Sequence, residues 1–265
     1  MIDYHIHTKL CKHASGEIYQ YVENCIYAGI KEIAFTDHIP LPKNFDISHR
    51  MDFHEMDVYC NWVDEARNRY PEIKIRLGIE ADYYEGFEDY ISEFIQKFEM
   101  DLIIMSIHFI KHWPGDNWIL NYSFSHRTQY DIYEDYLTVL INGIQTGLFD
   151  VLGHVDIIKK PGDSLVKMIP DKVEKLLFEI KKNKMAIEIN TSGFRKEVSE
   201  PYPGFDWFPF IKKYDLPITI GSDAHTPEQV ALKFGLVYSQ IEKFGIDKVV
   251  SFEKRKMRLY FTSAI

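Results

Sequence analysis

Strand-length runs rich in β-branched and aromatic residues alternate along this chain with longer segments whose apolar residues recur every three or four positions. The runs are IDYHIH (2–7), EIAFTDH (32–38), IKIRLGIEA (73–81), DLIIMSIHF (101–109), DVLGHVD (150–156), MAIEINTSG (185–193) and PITIGSDAH (217–225). Periodic segments at 17–28, 55–69, 87–98, 127–146, 170–183, 205–214 and 227–234 predict amphipathic helices between them. Gly29, Gly147, Pro217 and Gly221 fall at the boundaries, where turns and helix ends use such residues. Regular strand–helix alternation predicts a parallel sheet. With seven units in 265 residues and no break in composition, the simplest arrangement is one α/β barrel, a single domain over residues 1–265. Such barrels carry their chemistry at the carboxyl ends of the strands. The connections 39–54 and 110–127 are longer, rich in His, Pro, Asn and Asp, and are expected to shape a pocket.

Polar residues gather at one end of the runs. His5 and His7 close the first, Asp37 and His38 the second, Glu80 the third, His108 the fourth, His154 the fifth, and Asp223 with His225 the seventh. Residues two apart in a strand share a face. His5 and His7 are therefore expected to project together, as are Asp223 and His225, with Ile2, Tyr4 and Ile6 turned to the helices. Counting His13 from the first loop, seven of the chain's 11 histidines belong to this set. A lone buried histidine is more often a hydrogen-bonded core residue than a ligand. So many polar groups at inner strand ends would carry a heavy desolvation cost unless they share cations. Nitrogen and oxygen donors suit Zn, Mn or Fe, and their number calls for two or three ions with a bridging carboxylate.

Composition narrows the function. A hydrophobic content of 46% supplies a core, and a net charge of −9 argues against a broad nucleic-acid-coating surface. Cys11, Cys25 and Cys60 form no CxxC pair, which suggests a reducing compartment. Cys11 lies between His7 and His13 and is open as an incidental soft ligand, but a thiolate fits hydrolytic metals less well than imidazole or carboxylate, so packing is the favoured reading. No signal peptide and no membrane-spanning stretch is visible, and a cytoplasmic protein without a membrane partner is expected.

Taken together, HIHTKLCKHA, TDH, GIEADYY, SIHF, GHVDIIKK, NTSGFRK and GSDAHTPEQV resemble the polymerase-and-histidinol-phosphatase (PHP) family, and within it the histidinol-phosphatase branch. The resemblance implies a distorted seven-stranded, TIM-like barrel with a trinuclear centre of divalent ions (Mn, Zn or Fe). By position, His5, His7, Glu80 and Asp223 would hold the first ion. Glu80 would bridge to a second, completed by His108 and His154, and His13, His38 and His225 would hold the third. Three divalent ions, less two carboxylates and a bridging hydroxide, leave about +3 to meet a dianionic phosphate. The implied activity is hydrolysis of L-histidinol phosphate, a small-molecule phosphomonoester, in histidine biosynthesis, by in-line attack of metal-bound hydroxide.

Within that scheme Asp37 is either the acid that protonates the leaving alkoxide or a partner orienting a histidine. Arg195 and Lys160 are the expected phosphate grips, where the branch commonly has an arginine at the Lys159–Lys160 position. Tyr83, Tyr84, Phe109 and Trp113 are candidates for stacking on an imidazole or, equally, for ordinary packing. His49, His54, His112 and His126 are expected at the surface or pocket rim. Three alternatives stand beside this reading. A phosphodiesterase or 3′–5′ exonuclease of the same family lacks the basic track it needs. An amidohydrolase-type C–N hydrolase lacks its bridging lysine. A non-catalytic metal-binding regulator is disfavoured by a complete donor set.

Overall fold

The computed structural model describes residues 1–42, 45–113, 118–122 and 127–260; His126 lies outside them. Among these residues the strands β1 (Ile2–Ile6), β2 (Glu32–His38), β3 (Lys74–Asp82), β4 (Leu102–Ser106), β5 (Val151–Leu152), β6 (Ala186–Asn190) and β7 (Ile218–Gly221) lie side by side in chain order. Each is parallel to the next. Beyond β7, Ala224 pairs with Ile6, and the His7 N–H donates to the Ala224 carbonyl at 3.0 Å, which nearly closes the ring.

The helices are α1 (Ile18–Tyr27), α2 (Met56–Arg69), α3 (Glu88–Lys97), α4 (Gln129–Gln145), α5 (Leu165–Met168), α6 (Pro170–Lys182), α7 (Phe208–Tyr214) and α8 (Phe234–Lys243). They cover the outer face of the barrel, so most strand residues are buried on both sides, which explains their near-continuous apolar runs. Tyr21 of α1 meets Phe35 of β2 edge-on, and the Tyr59 hydroxyl of α2 donates to the Gly78 carbonyl of β3 at 2.9 Å. Gly29 and Gly147 take φ of 77° and 70° just past α1 and α4, the left-handed conformation that ends a helix.

Several boundaries differ from the sequence expectation. The fifth run pairs over only two residues, and the sixth leaves the sheet at Asn190 to form a 3₁₀ turn over Thr191–Arg195. The segment 227–234 is mostly not helical; a 3₁₀ turn at Pro227–Gln229 precedes α8, whose apolar period was read too early. Asp223 is also outside β7, with φ of 53°, so it and His225 are brought together by a left-handed turn rather than by strand alternation.

An unanticipated hairpin, β8 (Val250–Glu253) with β9 (Lys256–Leu259), covers the amino ends of the strands. Its strand pattern is hidden in sequence by the Lys–Arg-rich β9. Asp101 Oδ1 accepts the Lys254 N–H at 3.0 Å, and Arg255 bonds both Asp150 oxygens and the Leu148 carbonyl. The register of β1 on β2 slips between Asp3 and Ile6. Tyr4 consequently does not face the helices. Its hydroxyl donates to Glu32 Oε1 at 2.6 Å and accepts the Phe252 N–H at 3.1 Å, fastening β1 to the hairpin.

Tyr4→Phe would take one donor from the buried Glu32 Oε1, which keeps Arg76 Nε at 2.7 Å, and would strand the Phe252 amide. We expect a loss of about 1–3 kcal/mol in urea unfolding. A variant as stable as the parent would show that the hairpin is held without this hydroxyl.

Candidate metal centre

The upper ends of the strands bring the predicted donors into one cluster. The slip in β1 turns His5 inward above Tyr4, and His7 follows, with ring centroids 5.0 Å apart. His38 is the last residue of β2 and Glu80 lies within β3, while His108 and His154 sit two residues beyond β4 and β5. Asp223 and His225 arrive from the turn after β7. His13 returns from the first loop because Lys12 adopts φ of 67°, which reverses the chain after the turn Lys9–Cys11.

Glu80 is central. Its Oε2 lies 3.4 Å from His5 Nε2, 3.5 Å from His7 Nε2 and 2.9 Å from His38 Nδ1. Its Oε1 lies 2.9 Å from His154 Nε2 and 3.9 Å from His108 Nε2. Asp223 Oδ1 stands 3.2 Å from His7 Nε2 and 3.5 Å from His225 Nδ1. The His13 and His225 rings are 4.5 Å apart, and His7 and His225 stack at 4.1 Å. All nine expected ligands therefore meet at one pole of the barrel.

The cluster fits cations. His5 Nε2, both nitrogens of His7, His38 Nδ1, Glu80 Oε2, His154 Nδ1 and His225 Nε2 are buried without a hydrogen-bond partner. Each such orphan costs roughly 1–3 kcal/mol of desolvation if nothing meets it. His5, His7 and Glu80 offer donor atoms within 4.8 Å of one another, as do His7, His38 and His225. Burial, with the nearby His7 charge, lowers the pKa of His225, and burial takes His38 down to about 4. At His5 burial is outweighed by carboxylates led by Glu188, and at His7 by neighbours led by Asp223, so both are raised and those protons must leave when metal binds. Burial would raise Glu80, but His38 and His5 outweigh it and hold the carboxyl well below its usual range.

A ring of further acidic groups orients these donors. Glu188 of β6 is buried with Oε1 2.6 Å from His5 Nδ1, while its Oε2 accepts the His154 backbone N–H at 2.9 Å. Asn190 bridges Glu188 Oε2 and Asp223 Oδ2. Asp82 Oδ1 holds His108 Nδ1 at 2.7 Å, and its other oxygen faces Arg50 Nη1 at 3.0 Å. Neither Asp82 nor Arg50 was anticipated. The alternation Glu80–Asp82 on one strand face is the signal that would have found Asp82. Gly221 is required here, since a Cβ would stand 2.5 Å from His5 Cβ and inside contact distance of Glu188 Oε1.

Two roles are open for Asp37, an acid for the leaving alkoxide or a partner orienting a histidine, and its position fits the second. This residue is fully buried behind His7, its Oδ2 accepts from the Thr8 amide and hydroxyl, and its Oδ1 lies 3.5 Å from His7 Nδ1. Its place is that of a partner orienting His7.

The cluster opens on a cavity of about 660 Å³, lined among others by His13, His49, Trp118, Tyr122, Lys160, Arg195 and Tyr202. That volume suits a small molecule. Arg195 is anchored over the site by donating Nη1 to the Ser222 carbonyl at 2.9 Å and Nη2 to the Asp223 carbonyl at 2.7 Å. Lys160 reaches the same cavity with Nζ 4.4 Å from the Tyr122 ring centroid. Lys159 is instead buried against Asp156 Oδ2 at 3.1 Å and Glu200 Oε1 at 2.8 Å. Of the two readings open to the aromatic candidates, ordinary packing is the one observed. Tyr84 and Phe109 pack on Phe45, Trp113 donates to Asp135, and Tyr83 lies in the core; Trp118, Tyr122 and Tyr202 line the cavity in their stead. Of the rim histidines, His49 lines the cavity with Nδ1 2.6 Å from Asp46 Oδ1, whereas His112 is exposed beside Asp135.

A parallel barrel that collects imidazoles and carboxylates around a central glutamate, at the carboxyl ends of its strands, defines a metallohydrolase-type site. The PHP domain model matches residues 3–192, and the chain belongs to the PHP family. It is 32% identical to a probable histidinol-phosphatase of Deinococcus radiodurans, over 97% of this chain and 98% of that one. It is 27% identical to the histidinol-phosphatase of Bacillus subtilis, over 88% and 96% of the two chains. The fold matches the histidinol phosphate phosphatase of Lactococcus lactis, solved with zinc, L-histidinol and phosphate, at a TM-score of 0.84, with 21% identity over 97% of this chain and 98% of that one. No helix among the described residues is long and apolar enough to cross a membrane.

Glu188→Gln should leave the fold intact yet weaken zinc binding roughly 10- to 100-fold, because His5 loses the carboxylate that aligns it. Chelator competition measures this directly. Unchanged affinity would mean that His5 is oriented without Glu188.

Proposed function

We propose that the chain is a metal-dependent phosphomonoesterase that hydrolyses L-histidinol phosphate to L-histidinol and phosphate, serving histidine biosynthesis in the cytoplasm. The observation that carries this is a buried donor cluster with unpartnered nitrogen and oxygen atoms, opening on a small-molecule cavity that also holds Arg195 and Lys160. The names of the Deinococcus and Bacillus relatives support the substrate, as do the ligands of the Lactococcus structure. Three free cysteines suit a reducing compartment.

In this proposal His5, His7, Glu80 and Asp223 hold one divalent ion. Glu80 reaches a second with His108 and His154, and His13, His38 and His225 hold a third. Zinc, manganese and iron all suit such donors. When bound, the ions supply Lewis acidity toward the phosphoryl oxygens and a nucleophile at neutral pH. Arg195, with two N–H groups already committed to backbone carbonyls, keeps further donors for phosphate, and Lys160 adds a point charge from the neighbouring connection after β5. Asp37, Asp82 and Glu188 keep His7, His108 and His5 aligned. A cavity of about 660 Å³ and a net charge of −9 favour a compact monoester over a nucleic-acid strand.

The test compares kcat/KM for L-histidinol phosphate, an aryl phosphodiester and a short single-stranded DNA on one metal-quantified preparation. A preference of about a thousandfold for histidinol phosphate, close to 4 kcal/mol of transition-state discrimination, is expected. Preference for the diester or DNA would overturn the substrate and keep the hydrolysis.

The two adjacent lysines should part company. Lys160→Ala is expected to lower kcat/KM about 10- to 100-fold with little change in stability. Lys159→Ala removes the cation beside buried Asp156, which keeps only the Gly204 N–H, and should cost about 3–5 kcal/mol in denaturant unfolding. The reverse pattern would place the phosphate on the buried lysine.

A further inference from the structure

We propose that Cys11 is a thiolate ligand to the ion held by His13 and His225, which gives this pole of the cluster a mixed sulfur–nitrogen donor set. The inference rests on the metal-centre proposal and adds a donor that proposal lacks.

The first loop is built to present this sulfur. Cys11 is fully buried at the end of the turn Lys9–Cys11, which Thr8 caps by accepting the Leu10 N–H at 3.2 Å. The left-handed Lys12 then folds His13 back so that its Nδ1 meets the Cys11 carbonyl at 2.8 Å, which commits that nitrogen and leaves Nε2 as the donor. Cys11, His13 and His225 each offer a donor atom within 4.8 Å of the other two. Cys11, His7 and Asp37 also offer donor atoms within 4.8 Å of one another. These neighbours are themselves short of partners. His7 is fully buried with neither nitrogen hydrogen-bonded, and His225 Nε2 is a buried orphan.

Chelation needs little movement. A zinc–sulfur bond of about 2.3 Å and a zinc–nitrogen bond of 2.0–2.1 Å let two donors of one ion stand up to about 4.4 Å apart. The thiol would release its proton to solvent as the ion enters. Sulfur also changes selectivity. A soft donor favours zinc or iron over manganese, so this pole of the cluster would discriminate among ions that the other donors accept alike. The competing role for Cys11 is an S–H that merely hydrogen-bonds the His7 and His13 rings.

Cobalt substitution of the full chain separates the two. With cobalt content measured, the wild type is expected to show a near-ultraviolet sulfur-to-cobalt charge-transfer band, lost in Cys11→Ser and kept in Cys60→Ser. Zinc affinity by chelator competition should fall about tenfold or more in Cys11→Ser, while manganese affinity changes much less. Bound cobalt that shows only visible d–d bands in the wild type would overturn the thiolate and leave the nitrogen–oxygen centre standing. Failure to take up cobalt at all would sink the metal centre itself. Should Cys11→Ser not fold, X-ray absorption on the zinc-loaded wild type still decides, through the presence or absence of a sulfur neighbour at about 2.3 Å.

Discussion

Glu80 sets the terms for the rest of this molecule. A carboxylate with almost no solvent exposure, surrounded at 2.9–3.9 Å by the rings of His5, His7, His38, His108 and His154, is affordable only where charge compensation is arranged on every side. The protein cannot satisfy those rings from its own groups, and the orphaned nitrogens record the shortfall. Cations complete what the fold leaves open. Much of the upper barrel exists to hold incompatible groups at fixed separations until they arrive.

That requirement explains the second ring of acids. Glu188, Asp82 and Asp37 each face the far nitrogen of one histidine, so that the remaining nitrogen points inward. Their own oxygens are tied to backbone amides, to Asn190, to Thr8 or to Arg50, which keeps the chain of dependence running outward into the loops. At the opposite pole, the hairpin braces the strands whose upper ends carry the donors, through the Lys254 amide on Asp101 and the Arg255 ion pair with Asp150.

The nine cluster donors were legible in sequence because they end apolar runs, and strand ends in a parallel barrel converge. What sequence hid has physical causes. Glu188 resembles any polar strand residue until the facing histidine is known, whereas Asp82 shares a strand face with Glu80 and was open to be found. Asp37 adjoins a ligand, yet a backbone one residue on points its side chain behind the cluster. Lys159 and Lys160 differ in burial, not in chemistry. The hairpin over 250–259 escaped notice because its second strand is charged and exposed, so periodicity carried no burial signal.

The slip in β1 makes one five-residue strand serve two masters. Below the slip, Tyr4 belongs to the foundation; immediately above it, His5 belongs to the chemistry. Adjacent residues of an ordinary strand look to opposite sides, so only an irregular step lets neighbours at 4 and 5 both turn to the interior at different heights. The first strand is thus a seam along which durability and reactivity can drift apart in evolution, each altered by a neighbour that leaves the other untouched.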